Sequence, residues 1–168
     1  MAEQSHFDRS LDTVACFVIT VSDTRDATTD RSGAAIKGML EEAGHPLAGY
    51  EIVKDEPEDV RALLDRALAA DGVDVVLLNG GTGIAPRDGT YEVVSGVIEK
   101  RIDGFGELFR SLSYQEIGAA AMLSRAVAGA VGPRIVVSMP GSRGAVETAM
   151  KNLLLPQLGH MVAQARGL

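Results

Sequence analysis

Apolar positions along the chain follow two rhythms in alternation. "TVACFVITVSD" (13–23) is a continuous apolar run rich in β-branched residues, the pattern of a strand covered on both faces. In "SGAAIKGMLEEAG" (32–44), Ile36, Met39, Leu40 and Ala43 recur at helical spacing and Gly44 marks the stop. "AGYEIVKDE" (48–56) predicts a second strand. "PEDVRALLDRALAADG" (57–72) predicts a second helix, opened by Pro57 and acidic residues, striped by Val60, Leu63, Leu64 and Leu68, and followed by Gly72. "VDVVLLNGG" (73–81) is the strongest strand. Helical spacing returns in "TYEVVSGVIEKRI" (90–102) and "GELFRSLSYQEIG" (106–118). "RAVAGAV" (125–131) and "RIVVSMP" (134–140), separated by Gly-Pro, predict a hairpin or two adjacent strands. The last segment (144–165) predicts a helix broken or kinked near Pro156.

This βαβα order implies an α/β fold: a mostly parallel sheet sandwiched between helical layers, with the hairpin supplying an antiparallel strand. The 168 residues fit one domain, taken as residues 14–168 behind an N-terminal arm, 1–13. Hydrophobic residues make up 46% and aromatics only 4%, with no tryptophan, so the core must be aliphatic. A formal net charge of −7 disfavours a general nucleic-acid binder but leaves room for a small anion at a local positive site. No stretch is long enough to span a membrane, and the polar first dozen residues lack the apolar core of a secretory signal. The expected location is the cytoplasm. The single cysteine, Cys16, lies inside an apolar run and reads as a buried thiol. His6, His45 and His160 are scattered and suggest no zinc site.

In open α/β sheets, ligands bind beyond the carboxyl ends of the strands. Four such ends are polar or glycine-rich here. "LNGGTGIAPRDGTYEVV" (78–94) places Gly80, Gly81, Thr82 and Gly83 after the third strand and Arg87 and Asp88 just behind. Glycines admit positive φ and let backbone N–H groups converge on an anion, with the helix start near Thr90 adding its positive end. The motif matches neither the dinucleotide fingerprint nor a P-loop, so an ordinary strand-to-helix turn is the alternative. Arg87 could neutralise phosphate oxygens, and Asp88 beside a phosphate calls for a divalent cation such as Mg2+; alternatively both are turn residues, or Asp88 caps the next helix. Asp55, past the second strand, could be a second metal ligand, a carboxylate that orients a nucleophile, or simply part of an acidic helix start. In "SMPGSRGAVE" (138–147), Pro140, Gly141, Ser142 and Arg143 form either another anion pocket or a plain helix cap with an exposed arginine. The long polar loop after the first strand puts Ser22 and Asp23 within reach of a polar ligand.

Taken in order, "TVSDTR…DRSG", "NGGTGIAPRDGTYE", "DGFGELFRSLSYQEIG", "SRAVAG" and "MPGS" resemble the MoaB/MogA molybdenum-cofactor biosynthesis proteins, relatives of the gephyrin-type adenylyltransferase domains, and the middle motifs resemble the MoaB branch. The resemblance covers about residues 14–165. It implies a three-layer molybdopterin-binding fold, a homotrimer or homohexamer, and Mg2+- and ATP-dependent adenylylation of molybdopterin with release of pyrophosphate; the alternative is a pterin-binding assembly protein of the same fold. The motif residues that such a role falls on are Gly80, Gly81, Thr82, Gly83, Arg87 and Asp88, with Asp55 as the second aspartate, Pro140 and Gly141 in the turn, and Ser22 and Asp23 in the first loop. Asp55 and Asp88 are then both catalytic and metal-holding. Other proteins of cofactor biosynthesis are implied as partners. Two departures from the family form stand out: Tyr91 where proline is usual, and "PGSR" where many relatives have "PGNP". Phe105, Leu108 and Phe109 are the apolar candidates for a subunit interface.

Overall fold

The computed structural model describes residues 10–168. The first nine residues of the expected arm lie outside the described residues. Six strands form one sheet in the order β2-β1-β3-β6-β5-β4. They are β1 (Cys16–Val21), β2 (Leu47–Val53), β3 (Val75–Asn79), β4 (Lys100–Arg101), β5 (Val127–Val131) and β6 (Arg134–Met139). β2, β1, β3 and β6 run parallel, while β5 is antiparallel to both of its neighbours. The helices are α1 (Arg31–Glu42), α2 (Pro57–Ala69), α3 (Thr90–Val97), α4 (Asp103–Ile117), α5 (Arg143–Ala149) and α6 (Leu158–Ala165).

Strand alternation sorts the side chains into two cores. Cys16, Val18, Val75, Leu77, Ile135 and Val137 face α1, α4, α5 and α6. Ile19, Val21, Val76, Leu78 and Val136 face α2 and α3. The three layers that result match the expected sandwich. Burial, with a smaller push from Asp74, raises the Cys16 thiol to about 12, so it is an inert core group.

The hairpin expectation holds. Gly132 takes φ +53° ahead of Pro133, an arrangement of a two-residue turn with a positive φ only at its first position. The break near Pro156 also holds. The chain widens into one π turn over Met150–Leu154, where the Leu155 amide reaches back five residues to the Met150 carbonyl, and α6 starts two residues beyond the proline.

Three expectations are corrected. The helix over 90–102 stops at Val97, and the chain then adds β4 at the sheet edge. The Glu99 and Ile102 amides donate to Ala130 and Ala128, and Ile98 fills the space left by the missing side chain of Gly129. Apolar spacing there serves both periods, and the free edge of β5 decides for the strand. Phe105 and Phe109 face inward, stacked at 6.2 Å within the first core, so only Leu108 of the proposed interface trio is exposed. Ala43, expected on the buried stripe of α1, is exposed at its C-cap.

Residues 10–13 lie against α6. The Leu11 amide donates to the Gly159 carbonyl at 3.3 Å, and a methyl group on Gly159 would collide with the Leu11 carbonyl oxygen. Gly159→Ala therefore lowers stability in urea unfolding, although helix propensity alone favours alanine by about 1 kcal/mol. A higher unfolding midpoint would show that this segment does not pack there.

Candidate functional site

From β1 the chain steps outward to β2 on one side, then crosses back over β1 to β3, after which the parallel sheet extends the other way to β6, so the topological switch point lies between β1 and β3. Main chain meets main chain there. Gly80 has φ +103°, and a methyl on it would strike the Val21 carbonyl; one on Gly141 would lie 3.1 Å from the Gly80 Cα. The Gly80 amide donates to the Met139 carbonyl at 3.0 Å. Cavities of about 510 and 400 Å3 flank this crevice, the first lined by Ser22, Asp23 and Arg25, the second by Pro86, Asp88 and Gly89.

The floor is a buried polar chain. On the α1 side, β1 ends in Thr20 and β3 in Asn79, where apolar alternation would otherwise continue. Asn79 Nδ2 donates to Thr20 Oγ1 at 2.9 Å, and the Tyr50 hydroxyl donates to Asp30 at 2.7 Å. Asp30 also caps α1 by accepting from the Gly33 amide. Burial pushes the Asp30 carboxyl up, but hydrogen bonds from Thr20, Gly33 and Tyr50, with Arg25 nearby, outweigh it and hold the group below the usual carboxylate range. Burial and Asp30 push the Tyr50 phenol up. Arg25 and Ser32 both donate to the Gly141 carbonyl, at 3.0 and 2.7 Å, and so pin the β6 turn.

The glycine loop is held from one side by Arg125. Its guanidinium donates to the carbonyls of Thr82 (3.2 Å), Gly83 (2.5 Å) and Asp88 (3.1 Å), pairs with Glu92, and stacks 4.9 Å from the Tyr91 ring. The Thr90 amide takes the Gly81 carbonyl. In a trans peptide the N–H opposes the C=O. Fixing those four carbonyls therefore turns the amides of Thr82, Gly83, Ile84 and Gly89 away from the groups that hold the loop. Thr82, Gly83 and Ile84 donate to no protein acceptor among the described residues. Asp88 closes the turn, accepting from the Ala85 amide at 2.9 Å beside Gly83, whose Cα leaves the carboxylate its space. The cap of α3 is Gly89, without a side-chain bond, so Asp88 is not its cap.

Asp55 is buried, and its Oδ1 has no partner; nor have Thr90 Oγ1 and Asn79 Oδ1. Both Asp55 oxygens lie 3.0 Å from where a methyl on Gly81 would sit. Burial is the largest influence on this carboxyl and raises it; Gly89 pulls it down, Asp88 and Asp23 push it further up, and the net shift is upward. A buried unsatisfied oxygen costs about 1–3 kcal/mol. Two of the three, on Asp55 and Thr90, lie against Gly81 and mark a place suited to a polar guest. Among the described residues no three His, Cys, Asp or Glu side chains cluster as a metal cage. Mg2+ needs no cage, because it keeps waters and substrate phosphates alongside one or two carboxylates; Asp55, with its Oδ1 free, and its neighbour Asp88 fit that requirement.

Other expected residues have local partners. Arg87 pairs with Asp23 at 3.2 Å and Glu56 at 2.7 Å, and Asp23 also accepts from the Asp55 amide. Arg143 is exposed and pairs with Glu147 one turn along α5, while Ser142 caps that helix. The Ser22 hydroxyl accepts from the amides of Thr24 and Arg25, shaping the first loop. The cations that brace the crevice are Arg25 and Arg125. Both fall inside the motifs "TVSDTR" and "SRAVAG" but not among the expected site residues, because the motifs do not show that the fold brings them to Gly141 and Gly83.

Fold and crevice define a doubly wound α/β protein with a glycine-lined crevice at its switch point. The family model described as "Probable molybdopterin binding domain" matches residues 17–160. The chain is 50% identical to molybdenum cofactor biosynthesis protein B of Bacillus subtilis over 167 residues, 99% of this chain and 98% of that one. It is 49% identical to the Bacillus cereus protein of the same name over 162 residues, 96% of each. A crystal structure of a molybdenum cofactor biosynthesis protein B superposes with a TM-score of 0.90 at 50% identity, covering 93% of this chain and 98% of the other. The tungsten cofactor synthesizing protein MoaB of Pyrococcus furiosus gives 0.83 at 37% identity, covering 94% and 99%. The chain belongs to the molybdopterin-binding-domain family, in its molybdenum cofactor biosynthesis protein B branch. Among the described residues, no helix is long and apolar enough to cross a membrane.

Two outcomes follow from this geometry. Asp55 binds its proton more tightly folded than unfolded, so stability falls as pH rises from the ordinary value of 3.8 through the raised one and stays lower above it. Asp55→Asn therefore raises the Tm at neutral pH and gives no such gain below pH 3.8; parallel Tm–pH curves for the two proteins would contradict this. Arg125→Lys, a point charge in place of a planar fork, speeds amide hydrogen exchange across residues 82–89 while the core strands stay protected. Unchanged exchange there would remove Arg125 as the anchor.

Proposed function

We propose that this chain acts in molybdenum cofactor biosynthesis by adenylylating molybdopterin at the expense of ATP, with Mg2+ as the required ion. The observation that carries the reading is the run of unpaired amides from Thr82 to Ile84 beside the unpartnered Asp55 oxygen. The names of its relatives support the pathway; the glycine loop supports the chemistry.

An ionised oxygen of the pterin's terminal phosphate attacks the α-phosphorus of ATP. The bond from that phosphorus to the bridging oxygen breaks, and pyrophosphate leaves with the electron pair. No proton has to move, because the attacking oxygen carries none at neutral pH. Such a transfer needs positioning and charge neutralisation more than covalent help. The amides of Thr82, Gly83 and Ile84 orient phosphate oxygens, and Gly80 and Gly141 keep the crevice bare. Asp55 and Asp88 would hold Mg2+, which supplies neutralisation where the two anionic substrates meet. Arg87, already paired with Asp23 and Glu56, holds the first loop and the β2 end around Asp55. We also propose that the protein works as a homotrimer or homohexamer, with Leu108 among its exposed apolar residues.

Asp88→Asn separates binding from turnover. Asparagine keeps an oxygen for the Ala85 amide, so the turn survives, but it loses the charge. With molybdopterin, Mg2+ and α-labelled ATP, the variant binds pterin like the wild type and forms labelled adenylyl-pterin about 100-fold more slowly or worse. Equal rates would remove Asp88 from the reaction. A wild-type protein that binds the pterin tightly without labelling it would be an assembly protein instead.

A further inference from the structure

On the far side of Arg125 from the glycine loop lies a separate cavity of about 470 Å3, between α3, β4, α4 and β5. Three guanidinium groups line it, Arg101, Arg110 and Arg125, against one lining carboxylate, Asp103. That is unusual in a chain of net charge −7. Most other arginines are matched to carboxylates, among them Arg61 to Asp65, Arg66 to Glu51, Arg87 to Asp23 and Glu56, and Arg166 to Asp74. Arg134 donates instead to the Val73 and Ala70 carbonyls. The Arg31 side chain stands alone on α1 among the described residues and lines none of the three cavities. Arg101 and Arg110 have no such partner among the described residues. Arg110 spends only Nη1, on the carbonyls of Ser124 and Ala126, and Arg101 spends only Nη1, on the Tyr91 hydroxyl. Their Nε and Nη2 groups donate to no protein acceptor among the described residues.

The arrangement is built rather than incidental. Gly106 sits one turn before Arg110, and a methyl there would lie 2.9 Å from both terminal guanidinium nitrogens and 2.8 Å from the Ala126 carbonyl oxygen. The bare Cα lets the guanidinium lie back across its own helix to the cavity floor. Ser124 lines the same cavity, and its buried hydroxyl oxygen has no partner. Tyr91 forms a wall, its ring 4.9 Å from the Arg125 guanidinium and 6.0 Å from that of Arg101.

We propose that this cavity binds an oxyanion of the phosphate class, held by the free edges of Arg101 and Arg110. Guanidinium forks match phosphate oxygens in pairs, and free donors gathered in one hollow suit a compact anion better than an extended acidic chain. The site does not depend on the adenylylation reading. It shares Arg125 with the glycine loop, so an anion here competes with Glu92 and the loop carbonyls for that guanidinium.

The test is a titration of the full chain with inorganic phosphate, followed by the backbone amide NMR signals of Gly106, Ser124 and Ala126 and controlled with chloride at matched ionic strength. The expected result is a saturable shift of these three signals with phosphate alone. Arg101→Gln and Arg110→Ala each weaken it about tenfold, the loss of one charge-assisted contact. Arg101 is exposed, so its variant keeps the test valid should Arg110→Ala loosen α4. Phosphate held only in the crevice would move Gly81 and Gly83 and leave these signals still, which overturns the proposal. So does a shift that chloride reproduces, or one that Arg101→Gln leaves unchanged. If phosphate moves nothing and Arg110→Ala dissociates an oligomer in sedimentation, the cavity receives an acidic segment of a second copy and the proposal falls.

Discussion

At the carboxyl end of the sheet, the backbones of β1, β3 and β6 touch with no side chain between them. Gly80 lies against the Val21 carbonyl and Gly141 against Gly80. Everything else at this end is arranged around that close approach. A Cβ at any of these contacts would force the strand ends apart and close or tilt the crevice. The approach is also locked from below, because the strand faces that would carry one more apolar layer carry Thr20 and Asn79 instead. Their hydrogen bonds run through Asp30 to the first turn of α1 and to Tyr50 on β2. Arg25 and Ser32 then tie the same helix start to the Gly141 carbonyl. Three strands, one helix and one turn are thereby set by a single buried polar network, which is stiff because every break in it leaves a buried group unpaired.

With the floor fixed, the glycine loop could still point its amides anywhere. Arg125 removes that freedom by taking the carbonyls. The loop is thus polarised: carbonyls toward a cation inside the fold, amides outward. The same logic governs charge. Guanidinium groups around the crevice are engaged with the protein's own acceptors and act as braces, while Asp55 is left buried with an oxygen unsatisfied. A crevice with a buried, unsatisfied carboxylate oxygen and free amide donors is suited to an anion arriving with a divalent cation, and less suited to either alone.

Much of this was legible in the sequence, for identifiable reasons. Continuous apolar runs located β1 and β3, short β-like segments located β2 and the hairpin, and period-3.6 stripes located most helices, because burial dictates those patterns. Gly80, Gly81, Gly83 and Gly141 could be singled out because a strand end so bare has few other uses. What stayed hidden was pairing at a distance. Arg25 meets a residue 116 positions away and Arg125 one 42 positions away; both sit in family motifs, but the motifs do not show what either arginine holds. Conversely, Arg87 and Arg143 stood close to the motif in sequence but found carboxylates of their own. Phe105 and Phe109 read as surface candidates because helical spacing shows that residues share a face without showing which way the face turns. Ile98–Ile102 read as helix because its pattern fits either period, and only the open edge of β5 decides.

The central claim is that outward amides of the loop and the Asp55–Asp88 pair together receive a metal-bound phosphate. The most direct measurement is a crystal structure of the protein with Mn2+ and a non-hydrolysable ATP analogue, with the metal located by its anomalous signal. The account predicts phosphate oxygens within hydrogen-bond distance of the Thr82, Gly83 or Ile84 amides, and the metal bound to Asp55, Asp88 or both. Phosphates bound elsewhere, or a metal peak remote from both carboxylates, would contradict it.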